Sequence, residues 1–158
     1  MNTCDLLEFE AQSFKEKLLI EFSLDEIIKN ERKWIFDNLF LLYNNENILD
    51  VRIMVNPYLI IKNLVIEEEE IDYVFLPKYL GKAEFFIYYS PLKNADKFLK
   101  SIKNYGEILS GVELINIICD ANPSLNNESL KIRLNNVFRK FLSYQYLVIC
   151  ESDNINEK

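Results

Sequence analysis

Near the start of the chain, Leu7, Ala11, Phe14 and Leu18 recur at helical spacing among glutamates and lysines, which predicts an amphipathic helix from Asp5 to Phe22. A second start signal follows at once. Ser23 stands three residues before Glu26, the reciprocal capping pair, and Phe22 is placed to staple onto Ile27, so a second helix is expected from Leu24 to Tyr43. Its latter half, "WIFDNLFLLY", is apolar on more than one face: Trp34, Ile35, Leu39 and Leu42 on one, Phe36, Phe40 and Tyr43 on another. Such a helix is buried on both sides or waits for a partner; the expectation is burial.

After the turn-like "NNEN" the period changes from helix to strand. Leu49, Val51, Ile53 and Val55 alternate with Asp50 and Arg52, a half-buried strand that Asn56-Pro57 ends. Three more strand-like runs follow, Tyr58 to Ile66, Ile71 to Leu76 and Glu84 to Tyr89. Their links are too short for crossover helices, so the four strands are expected to form an antiparallel meander.

Beyond Ser90-Pro91, a lysine-rich helix is predicted from Asn94 to Asn104, burying Phe98, Leu99, Ile102 and Tyr105 and stopping at Gly106. The run "VELINIICDA" fits helix or strand; Val112, Ile115 and Cys119 share a helical face and tip the reading to helix. Leu130, Leu134, Val137, Phe138 and Phe141 define another helix from Glu128 to Leu142, and "YQYLVIC" reads as a final strand. The class is therefore α+β: two N-terminal helices, a four-stranded antiparallel meander, two or three helices and a last strand. No repeat or linker divides the chain, which reads as one globular domain over 1–150 with a flexible acidic tail at 151–158.

Composition agrees with a folded chain. Of 158 residues, 49% are apolar and 27% charged, away from the polar, aromatic-poor make-up of disordered proteins. Neither a secretory leader nor an apolar run of membrane-spanning length is evident, and Cys4, Cys119 and Cys150 lack the spacing of a redox or zinc motif. These features point to a cytoplasmic protein with reduced, mostly buried thiols.

Charge is unevenly placed. Residues 1–80 carry sixteen acids and eight bases, whereas residues 81–150 carry six acids and nine bases. The densest point is "EEEE", Glu67 to Glu70, joining the second and third predicted strands, with Asp72 adding a fifth carboxylate. Adjacent like charges repel, so the run lowers local stability. It can serve as a solvated hairpin that resists edge-to-edge pairing, as an acidic site for a basic partner, or, least suitably, as a cation site, since it lacks the alternating oxygen ligands and turn glycine of a calcium loop. Lys93, Lys97 and Lys100 lie along one helical face, but without an arginine to grip phosphate, and at a pI of about 4.8, they read as a solvated face.

Much catalytic chemistry is missing from the alphabet of this chain. It contains no histidine, which removes Ser-His and Cys-His nucleophiles and most zinc or iron sites. Gly106 and Gly111 have the gap of a phosphate loop, but Val112 and Glu113 stand where Lys and Ser or Thr would touch phosphate. A carboxylate-dependent hydrolase stays open, and Glu31-x-Lys33 is similar to a nuclease dyad, although it falls in a predicted helix where a strand is expected.

These observations favour a non-enzymatic, cytoplasmic protein that binds another protein, with no cofactor, metal, membrane or direct nucleic-acid ligand. The leading expectation is an inhibitor of the immunity or counter-defence type, occupying the cationic site of a basic toxin or nuclease. Its partner-binding residues would be Glu67, Glu68, Glu69, Glu70 and Asp72 for steering, with Tyr73 and Tyr79 as anchors. The alternative is a small acidic secretion chaperone that holds effector segments on apolar surface. In that alternative the apolar helix "WIFDNLFLLY" would be the interface; a homodimer is compatible with the chain.

Overall fold

The first apolar stripe folds as its spacing predicts, with Leu7, Ala11, Phe14 and Leu18 turned inward from a helix running Thr3–Glu21. The elements follow in the order α1 (Thr3–Glu21), α2 (Leu24–Tyr43), β1 (Ile53–Val55), β2 (Ile60–Ile66), β3 (Glu69–Tyr79), β4 (Phe85–Pro91), α3 (Phe98–Tyr105), α4 (Gly111–Ala121), α5 (Asn127–Ser143) and β5 (Leu147–Ile149), with 3-10 turns at Ile48–Asp50 and Asn94–Lys97. This computed structural model describes residues 3–44, 48–79, 85–105, 108–121, 123–124 and 126–150. Gly106, expected to stop the lysine-rich helix, Glu84, most of "NNEN" and the tail 151–158 lie outside the described residues.

The class is α+β and the strands pair antiparallel. The expected four-stranded meander, however, has three strands, in the order β2-β3-β4. The first predicted strand goes elsewhere: Ile48–Asp50 closes into a 3-10 turn, and β1 pairs with β5, Ile53 opposite Ile149 and Val55 opposite Leu147. Alternation of apolar and polar residues cannot name a partner. Here the fully apolar β5 needs one, while Ile53 also exchanges both backbone hydrogen bonds with Leu109 at 3.0 and 3.1 Å.

By backbone proximity the chain forms two compact units, one from Met1–Lys33 and Pro57–Lys100, the other from Trp34–Asn56 and Ser101–Lys158. In the first, burial runs unbroken along β3 from Tyr73 to Pro77, as suits a central strand covered on both faces. Val74, Phe75 and Leu76 are fully enclosed, and burial of such side chains stabilises by about 1.5–3 kcal/mol each. Pro77 is tolerated because β3 pairs beyond Phe75 with β4 alone, so no ladder to β2 is lost there. Helix α1 lies on the sheet with Phe14 edge-on to Phe75 (ring centroids 6.5 Å apart), Lys15 5.0 Å from the centre of the Phe85 ring and Glu10 paired with Lys62. The predicted cap of α2 is present, with Glu26 N–H donating to Ser23 Oγ at 3.1 Å, while Phe22 packs edge-on to Tyr58.

The second unit centres on α5, whose Leu134, Phe138, Phe141 and Leu142 are buried with Leu114 and Ile115 of α4. Helix α4 settles the ambiguity of "VELINIICDA": Ser110 caps it by accepting from Glu113 N–H at 3.2 Å. Helix α5 ends in a Schellman turn, with Gln145 at φ 61°, Tyr146 N–H bonding Phe141 O (2.9 Å) and Gln145 N–H bonding Leu142 O (3.2 Å). Two buried amides pin this turn. Asn38 Nδ2 donates to Leu142 O and Leu147 O at 2.9 and 2.8 Å, and Asn56 Nδ2 donates to Gln145 O at 2.9 Å.

Cys150 is buried and Cys119 half-buried, but Cys4 is exposed, so mostly buried thiols describe only part of the set. No helix among the described residues is long and apolar enough to cross a membrane.

Candidate functional site

The glutamate run forms the tip of the β2–β3 hairpin, but it does not act as one loop. Ile66 pairs with Glu69 and Val65 with Glu70, which leaves only Glu67 and Glu68 as the turn. Both have positive φ, 52° and 69°, the signature of a type I′ turn. The hand of that turn matches the twist of the strands, and Asn-Gly is the pair that adopts it with least strain. Two glutamates there hold their Cβ atoms in the left-handed region, at a cost on the order of 1 kcal/mol each. Glu69 and Glu70 open β3 and, as neighbours on a strand, point to opposite faces of the sheet. All four are exposed, and among the described residues none enters an ion pair.

A direct consequence concerns the turn. The double variant Glu67→Asn, Glu68→Gly should raise stability by about 1 kcal/mol by relieving the left-handed strain. Thermal unfolding is the readout, and an unchanged or lower Tm would show that the native turn is already relaxed.

The other expected site residues are not part of this tip. Asp72 is committed internally: its carboxylate accepts from Asn63 Nδ2 at 3.0 Å and from Lys100 Nζ at 3.1 Å, and these contacts hold its pKa below the usual carboxylate range. Its backbone carbonyl also accepts from Leu92 N–H at 2.8 Å. Tyr73 is buried, its ring centroid 6.4 Å from that of Phe75, so it supports the sheet and is not a surface anchor. Tyr79 sits at the far end of β3. Its N–H is shared between both carboxylate oxygens of Glu31 (2.8 and 2.7 Å), while Arg32 lies 5.1 Å from the ring centroid and donates to the phenol oxygen at 3.4 Å.

Glu31 is itself buried, and burial pushes its carboxyl pKa up, opposed by the Tyr79 N–H and by the charges of Lys78 and Arg32. Burial pushes Lys78 down, with Glu31 opposing. Perturbed groups of this kind often mark functional sites. Here the carboxylate is spent on fastening the end of β3 to α2, and Lys33 is exposed while Glu31 faces inward, so the Glu31-x-Lys33 pair does not converge. Among the described residues no group of three or more carboxylates and cysteines could hold a metal ion.

A second surface feature was half-legible in the sequence. On the second half of α2, Trp34, Asn38 and Leu41 face inward, whereas Phe36, Leu39, Phe40 and Tyr43 are 68%, 52%, 61% and 91% exposed. With Asn44 they line an open apolar depression. Burial on both sides, as expected from the pattern, is therefore not what the helix has. One side of it meets the last turn of α5 and the start of β5 through the Asn38 contacts, and no described element covers the other.

Scans of the chain against protein-family models, curated proteins and solved structures returned no match.

Proposed function

We propose that this chain is a non-enzymatic, cytoplasmic, acidic protein-binding protein, an inhibitor of the immunity or counter-defence type that neutralises a basic toxin or nuclease by occupying its cationic site. One observation carries the reading: four exposed glutamates at the hairpin tip, two of them in left-handed conformations. Among the described residues their carboxylates enter no ion pair. The turn they form is strained and self-repelling, and a cationic groove would relieve the repulsion. Relative to the sequence expectation the contact set narrows to Glu67, Glu68, Glu69 and Glu70; Asp72 ties the hairpin to Asn63 and Lys100, Tyr73 is buried in the sheet, and Tyr79 fastens the far end of β3 to Glu31. In mechanism the glutamates steer encounter through long-range attraction and then pair with lysines or arginines of the partner.

The test is affinity capture of a basic protein from the source organism or its host, with the native chain and with the variant Glu67→Gln, Glu68→Gln, Glu69→Gln, Glu70→Gln. Binding should weaken about tenfold in the variant and similarly as salt rises. A partner held equally by both chains at high salt would remove the reading. The exposed face of α2 favours a second one, a small secretion chaperone that holds apolar effector segments; its binding would resist salt and ignore the glutamates.

A further inference from the structure

We infer that the outer face of α2, Phe36, Leu39, Phe40 and Tyr43, is the contact surface for a second copy of this chain, the two helices packing antiparallel about a two-fold axis between Leu39 and Phe40. It shares no residue with the glutamate run, so the inference stands whether or not the inhibitor reading does.

The spacing is the first argument. The four residues fall at i, i+3, i+4 and i+7, which makes one continuous stripe. That pattern reads the same in both directions. An antiparallel copy therefore sets Phe36 against Tyr43 of the partner subunit and Leu39 against Phe40 of the partner subunit, and the mirror contacts follow from the same axis. A closed two-fold interface needs such self-complementarity.

Area is the second. An aromatic side chain presents about 150–250 Å², so exposures of 68%, 61% and 91% for Phe36, Phe40 and Tyr43, with 52% for Leu39, leave on the order of 500 Å² per copy. A pair of copies buries roughly 1,000 Å², the size at which a specific but modest interface begins. The dimer is accordingly a reversible one, with dissociation in the micromolar range. Phe36 and Phe40 are already stacked, ring centroids 6.4 Å apart and planes 22° from parallel, so a flat aromatic wall stands ready before contact.

Charge is the third. The chain carries a net charge of -7, yet Phe36, Leu39, Phe40, Tyr43 and Asn44 include no ionisable acid or base at neutral pH. Asp37, which interrupts the stripe in sequence, turns one carboxylate oxygen into the protein. Two copies therefore meet here without opposing carboxylates, and a basic partner finds nothing to pair with.

Sedimentation velocity across low to high micromolar protein tests this directly. The wild type should pass from monomer to dimer over that range. Phe40→Glu, at an exposed site, should keep the circular-dichroism spectrum and unfolding midpoint yet stay monomeric, its dimer dissociation constant raised at least tenfold. Because Leu39 faces Phe40 of the partner subunit, adding Leu39→Lys to Phe40→Glu should restore association, now weakened by salt. A wild type that is monomeric throughout overturns the proposal, and so does a dimer that persists in Phe40→Glu. Failure of the charge pair to restore association overturns the two-fold register.

Discussion

Asn38→Ala should lose about 3 kcal/mol of unfolding free energy, a large share of the roughly 5–15 kcal/mol by which native proteins are stable. Asn38 is fully buried, and its Nδ2 donates to two carbonyls at once, Leu142 O in the last turn of α5 and Leu147 O at the start of β5. Leu142 O retains Gln145 N–H and Gln145 Nε2 as donors, but the amide that ties α2 to the α5–β5 turn is gone, and the truncation leaves a cavity besides. Asn38→Asp should be worse, although it preserves shape, because an ionised carboxylate would face two carbonyl oxygens. Urea unfolding of the three proteins gives the order directly. A loss below about 1 kcal/mol for Asn38→Ala would mean that water replaces the amide and that the turn is held by its backbone alone.

Gly111→Ala should destabilise by about 2 kcal/mol, although helix propensity alone predicts a gain of up to about 1 kcal/mol. Gly111 opens α4 against the 3-10 turn at Ile48–Asp50. A Cβ added there would stand 2.5 Å from Leu49 Cδ2, 3.1 Å from Leu49 Cβ and 3.0 Å from Leu49 Cα. The methyl end of Leu49 could move, but its backbone belongs to a buried turn packed on both α4 and α5. The urea midpoint should therefore fall, and a rise would show that the 3-10 turn shifts without resistance. The same contact explains the glycine: it allows close approach of two backbones.

What could be read along the chain was what neighbouring residues decide. Helical spacing located α1 and α2, Ser23 marked the start of α2, and the strand-like runs from Tyr58 onward with their short links located the β2–β3 hairpin with the glutamates at its tip. The type I′ geometry was hidden because Glu-Glu carries none of the Asn-Gly signal, and positive φ at Glu67 and Glu68 is imposed by the register of the strands on either side.

Contacts across the chain decided the rest. Asp72 and Tyr73 looked available beside the glutamates, yet Asp72 meets a lysine 28 residues away and Tyr73 lies on the sheet face that α1 covers. Asn38 gave no sign of importance, because its carbonyl partners lie 104 and 109 residues on. Periodicity and capping are local, so the sequence alone determined most of the helix and strand segments, the 3-10 turn at Ile48–Asp50 and the choice of helix for α4 excepted, and that the glutamates crown a hairpin. Only packing against distant residues could decide that β1 joins β5, that Asp72 and Tyr73 are consumed inside the fold, and that one apolar face of α2 is left uncovered, since an apolar pattern is equally satisfied by any partner that excludes water.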